Sequence, residues 1–393
     1  MKIVIMKFGG TSLQTAELRN EAAELIKEKK ISGMQPVVVV SAIGREGDAY
    51  STDSLLKLVD NELSARDKDL LASCGETISA VVMTDSLQKL GVKAKALTGF
   101  QAGLLTDANH GFARVKKVIL NKLVNTIEND EIPIVTGFQG ISEQGDITTL
   151  GRSGSDTTAS VLAVALQAEL IEIYTDVDGI YSADPKVITN AQLVTEASYL
   201  EAVEIANKGA DVIHPRAVEI AESENIPINI ISTLNGKNGT VIKNIKTDHP
   251  VTSISSKDKI ISVKIIPKFP NDYQSGVRIF SLFADQGISV DFIDIRIDLI
   301  SFIIDSEFQK LAVRLLIDFN YELKEGFVKV SVVGAGMTGM PGIMAKIVEI
   351  LHLNEISIYE CTDSHTTISC LVKEEDEIQA VKALHDGFEL GEK

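Results

Sequence analysis

Residues 2–7 (KIVIMK) and 36–41 (PVVVVS) are short apolar runs rich in β-branched residues. Between them, TAELRNEAAELIKEKK sets Leu18, Ala22, Leu25 and Ile26 on one helical face. Strand, helix, strand in that order specifies a βαβ unit with buried parallel strands. Parallel strands need crossovers, and the crossover helices must cover both faces of the sheet. The alternation continues along the chain. Residues 132–136 (IPIVT), 171–175 (IEIYT) and 227–231 (PINII) read as further strands, with helices at 156–168 and 197–208. Residues 1–245 are therefore expected to form one α/β domain, a mainly parallel sheet with helices on both faces.

After NGKNGTVIKN the character changes. KTDHPVTSISSKDK is polar, contains a proline and reads as a linker. Beyond it lies an internal repeat. VRIFSLFADQGISVDFIDI (277–295) aligns with AKIVEILHLNEISIYECTD (345–363) at a shift of 68 residues. The shift pairs Ile279 with Ile347, Phe283 with Leu351 and Ile288 with Ile356. Strand-like segments at 260–266 and 327–333 precede the two copies. Two small α+β modules are expected, at 251–320 and 326–393.

A formal net charge of −17 argues against nonspecific nucleic-acid binding, which needs surplus Lys and Arg, but leaves room for an anionic ligand in a local basic cleft. Three cysteines, Cys74, Cys361 and Cys370, fit neither a disulfide framework nor a zinc site and suggest a reducing, cytoplasmic setting. The apolar start is broken at Lys7 with no small-residue cleavage site after it, unlike a signal peptide. No apolar stretch approaches the roughly 20 residues of a membrane helix, so no membrane partner is expected.

Four stretches carry chemistry. In KFGGTS a strand ends on Lys7, and Gly9 and Gly10 let the backbone turn and approach a ligand closely. This is where α/β folds bind ligands and where helix N-termini favour anions. In TTLGRSGSDTTAS, Arg152 stands between glycines, suited to bidentate capture of a carboxylate or phosphate, while Ser155 or Asp156 could cap the helix that follows. In YTDVDGIYSADPK the acidic residues do not keep calcium-loop spacing, turn chemistry explains Asp178-Gly179 and Asp184-Pro185, and Thr175 and Asp176 could reach a nucleotide. In SCGETISA, Glu76 sits after a glycine at an expected helix start, either as dipole compensation or as a grip for a cationic amine. The six histidines show no metal-ligand spacing, no metal cluster is expected, and His214 before Pro215 reads as structural.

These stretches, in this order, closely resemble the aspartokinases of the amino-acid kinase family. SAIGREGDAYSTDSL and GADVIHPRAVEIA extend the likeness over essentially the whole chain. The repeat resembles the tandem ACT domains of those enzymes. VGAGMTGMPGIMAKI and the ending DSHTTISCLVKEEDEIQAVKALHDGFEL are similar to the diaminopimelate-sensitive aspartokinase I type. The resemblance implies a three-layer αβα kinase domain followed by two ACT-like modules. It implies transfer of the γ-phosphate of ATP, with Mg2+, to L-aspartate, giving 4-phospho-L-aspartate at the head of lysine/diaminopimelate, methionine and threonine synthesis. Lys7 would contact the transferring phosphate, beside Gly9 and Gly10. Thr52, Glu76, Arg152, Ser155 and Asp156 would line the aspartate site, with Asp156 also orienting Lys7. Thr175, Asp176, Tyr181 and Lys186 would contact the nucleotide. Diaminopimelate, lysine or threonine would bind at the ACT domains, through which copies of the chain would associate.

Three positions depart from the family pattern. Ser153 replaces a common glycine, Lys186 a common arginine, and Asp211 a common lysine that reaches ATP. Asp211 keeps open a non-catalytic amino-acid sensor, and another kinase of the fold acting on glutamate is a further alternative. The chemistry suits the residues, because a side-chain carboxylate with a reference pKa of about 3.9 is already ionised and needs no general base.

Overall fold

The computed structural model describes residues 2–60, 62–207, 212–233, 238–245, 249–267, 273–337 and 339–391. Contacts group the chain into two compact units. The first holds Met1–Ile180, Leu193–Ala206 and Asp211–Ile245. Its main sheet contains β1 (Ile3–Phe8), β2 (Gln35–Val40), β3 (Ala94–Leu97), β4 (Ile132–Thr136), β5 (Leu170–Thr175), β6 (Glu196–Ala197), β7 (Ile228–Ser232) and β8 (Asn238–Ile242), in the order β6-β8-β7-β5-β1-β2-β4-β3. All neighbours are parallel except β7 and β8. Alternate residues of β1 and β2 (Val4, Met6, Val38, Val40) pack with Ala22, Ala23 and Ile26 of α1 (Ala16–Ile31) and Ala80, Met83 and Leu87 of α2 (Ala65–Lys89). The opposite face is covered by α3 (Gly154–Leu166), which contacts β1, β2 and β5 and lies against α4 (Pro215–Ser223). The expected three layers are present. From β1 the chain builds toward β2 on one side, and β5 returns on the other. The β1/β5 boundary is thus the point where strand order reverses, the place at which open α/β sheets form a ligand crevice.

A smaller four-stranded sheet comes from Val115–Val118, Leu104–Thr106, Gln139–Ser142 and Ile147–Thr149. No helix among the described residues is long and apolar enough to cross a membrane.

The second unit contains Tyr181–Gln192 and the described residues of 246–393. Its sheet has strands β9 (Ser253–Ile265), β10 (Asp291–Ile295), β11 (Ile300–Asp305), β12 (Tyr321–Val333), β13 (Glu360–Asp363) and β14 (Thr367–Lys373), in the order β10-β11-β9-β12-β14-β13. The repeat is real in three dimensions. Ile279 and Ile347, Phe283 and Leu351, and Ile288 and Ile356 are equivalent buried residues of two cores. The modules are not laid end to end, however. The segment read as a linker is a strand from Ser253, and its first half pairs with the second half of β12. Ile254 joins Val328, Val330 and Val332 in the core of the second module, and Ser256 Oγ–H donates to Glu377 Oε1 at 2.6 Å. The second half of β9 serves the first module, through Ile261, Val263 and Ile265. Polarity misled the sequence reading here, since a serine of this segment, Ser253, is as buried as its neighbour Ile254. Among the described residues no strand follows the last helix (Glu377–Gly387), and the position it would fill is taken by Ser253–Lys257.

The segment after β5 also belongs to this unit. Ala183 and Ile188 enter the core of the second module, and buried Ser182 Oγ lies 2.9 Å from His385 Nε2 on the last helix.

Replacing Ile254 by alanine should cost about 2–5 kcal/mol, as for a buried aliphatic truncation. Hydrogen exchange should then quicken in Ile343–Leu353 and Glu377–Gly387 while Tyr273–Asp285 stays protected. Equal loss in both modules would mean the strand is not shared in this way.

Candidate active site

Lys7 lies one residue before the end of β1, on the face that α3 covers. Its Nζ is 2.6 Å from Oδ1 of Asp156, in the first turn of α3, and both side chains are largely buried. The two glycines after Phe8 do different work. Gly9 donates its N–H to Tyr174 O at 3.1 Å. A Cβ there would meet nothing nearer than Tyr174 O at 3.5 Å, but would sit 3.8 Å from both Lys7 Nζ and Ser12 Oγ. The missing Cβ therefore leaves space beside the amine. Gly10 is a packing requirement, since a Cβ would come within 2.3 Å of Gly44 O and 2.5 Å of Ala42 O.

The loop pressed onto Gly10 connects to Glu76. Ala42 N–H donates to Glu76 Oε1 at 3.2 Å, while Oε2 is buried without a hydrogen-bond partner. Burial pushes this carboxyl up to about 8 from its ordinary 4.5. Glu76 is in the middle of α2 and not at a helix start, so dipole compensation does not explain it. An orphaned carboxylate oxygen in a dry pocket is suited to a cationic partner. Thr52 begins a short helix, Thr52–Leu56, that packs on α2.

Arg152 is exposed and, among the described residues, held by no ion pair. It lines an open cavity of about 570 Å3 with Glu46, Asp53, Leu56, Lys57, Val59 and Asp60. Its loop is shaped by Gly151 at φ 83° and Ser153 at φ 49°. Ser153 thus takes the left-handed conformation that the common glycine would take freely, at a cost of order 1–2 kcal/mol. Ser155 is buried, and a Cβ added at Gly137, just past β4, would fall 2.6 Å from its Oγ.

Thr175 and Asp176 stand at the end of β5, one and two residues beyond Tyr174, which pairs with Phe8. Thr175 O accepts from the N–H and the hydroxyl of Thr233 at 2.9 and 3.0 Å. Lys7, Gly9, Gly10, Thr52, Glu76, Arg152, Ser155, Asp156, Thr175 and Asp176 all belong to the first unit; Tyr181 and Lys186 fall in Tyr181–Gln192 of the second. Asp211 lies outside the described residues. His214 is structural, its ring accepting from Arg216 N–H at the start of α4.

Sequence reasoning passed over Asp69. It is buried on α2 seven residues before Glu76 and accepts from both the N–H and the hydroxyl of Thr149. Two carboxylates two turns apart on one helix, both on the inward face, were the available signal.

Residues 2–232 match the amino acid kinase family and residues 322–386 match the ACT domain. The chain is 43% identical to Aspartokinase 1 of Bacillus subtilis (strain 168), covering 99% of this chain and 100% of that protein. It is 38% identical to an aspartokinase of Geobacillus stearothermophilus, covering 100% and 98% respectively. In fold it is similar to E. coli aspartokinase III in complex with aspartate and ADP, with a TM-score of 0.82 at 24% identity, covering 98% of this chain and 99% of that one.

Two outcomes follow for this site. Gly9→Ala should leave stability near wild type and impair nucleotide-dependent turnover, whereas Gly10→Ala should destabilise the fold; the reverse order in thermal melts would contradict the packing described. For Glu76, the raised carboxyl pKa means the unliganded fold keeps this contribution fully below about 4.5 and loses it as pH rises through about 8. Glu76→Gln should flatten the fall in denaturation midpoint across that window.

Proposed function

Because this chain belongs to the amino acid kinase family, as an aspartate kinase, we propose that it transfers the γ-phosphoryl group of ATP to the side-chain carboxylate of L-aspartate at the C-terminal ends of β1 and β5. The observation that carries this reading is the buried Lys7 amine, paired with Asp156, with the space left by Gly9 beside it. The attacking carboxylate is already ionised at pH 7, so the task left to the protein is to bring two anions together. Lys7 offsets negative charge on the transferring group, and Asp156 fixes where the amine points. The N-terminus of α3 favours the phosphates, beside the space that Gly9 leaves. As the new O–P bond forms, the bond to the β-phosphate oxygen breaks and ADP departs. Mg2+ bound with the nucleotide would supply further positive charge.

Charge assigns the substrate contacts. Arg152 takes the α-carboxylate and Glu76 the ammonium, with Thr52 and Ser155 as hydroxyl partners. Thr175 and Asp176 serve the nucleotide, and we assign Tyr181 and Lys186 to it as well. At the ACT modules we propose an amino-acid effector, namely diaminopimelate, lysine or threonine, and association with a second copy of the chain. Effector control requires unequal affinity for two states of the enzyme.

Purified protein should release ADP with ATP and aspartate, and the rate should fall with at least one of the three effectors. Turnover with glutamate alone, or tight effector binding without turnover, would replace this reading with one of its two rivals. Lys7→Ala should lower kcat on the order of 10²–10³-fold with a smaller change in aspartate affinity. Because Glu76 is mostly protonated at pH 7 when free, binding an ammonium there should expel close to one proton. Calorimetry in buffers of different ionisation enthalpy should register it, and Glu76→Gln should abolish it.

A further inference from the structure

We infer that Asp69 is a positioning residue for the Arg152 guanidinium, acting through Thr149; this rests on the assignment of Arg152 to the aspartate carboxylate. The Asp69 side chain is almost wholly buried, and the groups around it come from a loop and a strand end far along the chain. Thr149 Oγ–H donates to Oδ1 at 2.6 Å and Thr149 N–H to Oδ2 at 3.0 Å. Gly111 N–H reaches both oxygens, at 3.1 and 3.0 Å, and His110 Nδ1 lies 2.9 Å from Oδ2. A carboxylate can accept all of these at once, which no neutral side chain of that size can do.

Thr149 is the last residue of its strand, three positions before Arg152. The next links extend the clamp. Ala113 N–H donates to Thr149 O at 2.8 Å, and Leu150 N–H to Phe138 O at 2.8 Å. The Arg216 guanidinium comes from α4 to Leu150 O at 3.5 Å and Ala113 O at 3.4 Å. At Gly151 an added Cβ would lie 3.1 Å from the Phe112 ring and 3.3 Å from Gly111 O, so the loop holding Gly111 is the wall against which the Arg152 loop lies. Asp69 grips both the wall and the strand end. Arg152 itself is exposed and unpaired among the described residues, so its direction is set by the backbone that leaves Thr149. An error of about 1 Å in a substrate-positioning group can cost on the order of 10²-fold in rate, which makes this clamp matter to a reaction between two anions.

The test compares Thr149→Val, which keeps the branched shape and loses the hydroxyl donor, with Thr149→Ser, which keeps the donor. Asp69→Asn is the direct variant, with melting temperature as its control. Thr149→Val should raise KM for aspartate about tenfold, with KM for ATP within about twofold of wild type, and Thr149→Ser should stay near wild type. In an Arg152→Ala background, adding Thr149→Val should change nothing further, because both act on one contact. An unchanged KM for aspartate in Thr149→Val, a parallel rise in both KM values, or effects that add in the double variant would overturn the inference. Absence of aspartate phosphorylation by the wild-type protein would instead overturn the functional reading, and this inference with it.

Discussion

A cation and a carboxylate removed from water together at the end of a central strand organise this protein. Lys7 and Asp156 come from β1 and α3, which are almost 150 residues apart in sequence and packed face to face. Taking either charge out of water alone would cost several kcal/mol, so each side chain requires the other in place. The pair therefore fixes the N-terminus of α3 over the crevice and, with it, the loop that carries Arg152. It also places a positive charge beside the space that Gly9 leaves. Stability alone does not call for such a pair, since two apolar side chains would serve a buried position at least as well.

The rest of the site follows from strand order. The sheet grows outward in two directions from β1 and β5, the arrangement at which open α/β sheets form a ligand crevice. One bank carries the Gly10–Ala42–Glu76 series of contacts and the other carries Thr175 and Asp176. The banks differ in chemistry. Glu76 is dry and incompletely bonded, suited to a fixed cation, whereas Arg152 lines an open cavity with both signs of charge. A small zwitterion with a second carboxylate meets these demands at both ends.

Much of this was legible in the sequence where a local pattern carried the signal. Apolar runs gave β1, β2, β4, β5 and β7 because strands buried on both faces have no polar period to misread. Lys7 and Arg152 stood out because a charge among glycines has few structural uses. The paired residues of the repeat, from Ile279/Ile347 to Ile288/Ile356, were readable because two cores with one topology impose one spacing. What the sequence hid was relational. Glu76 looked like a helix-start residue because the Ser64–Asp67 cap that starts α2 at Ala65 lies well upstream of it. The strand from Ser253 looked like a linker because half of its residues face away from the core. Tyr181 and Lys186 read as continuous with Thr175, yet their segment contributes Ala183 and Ile188 to another hydrophobic core. Asp69 was marked only by its spacing from Glu76, because its partners lie about 40 and 80 positions away.

The shared strand has a consequence for ancestry. A gene duplication that copies one βαββαβ unit ordinarily yields two pieces that can later be cut apart. Here β9 lends its first half to the later copy and its second half to the earlier one. Among the described residues no strand follows the last helix, and Ser253–Lys257 from upstream pairs with β12. A cut between the modules would leave the second without Ser253–Lys257, the strand segment that pairs with Lys329–Val333 of β12.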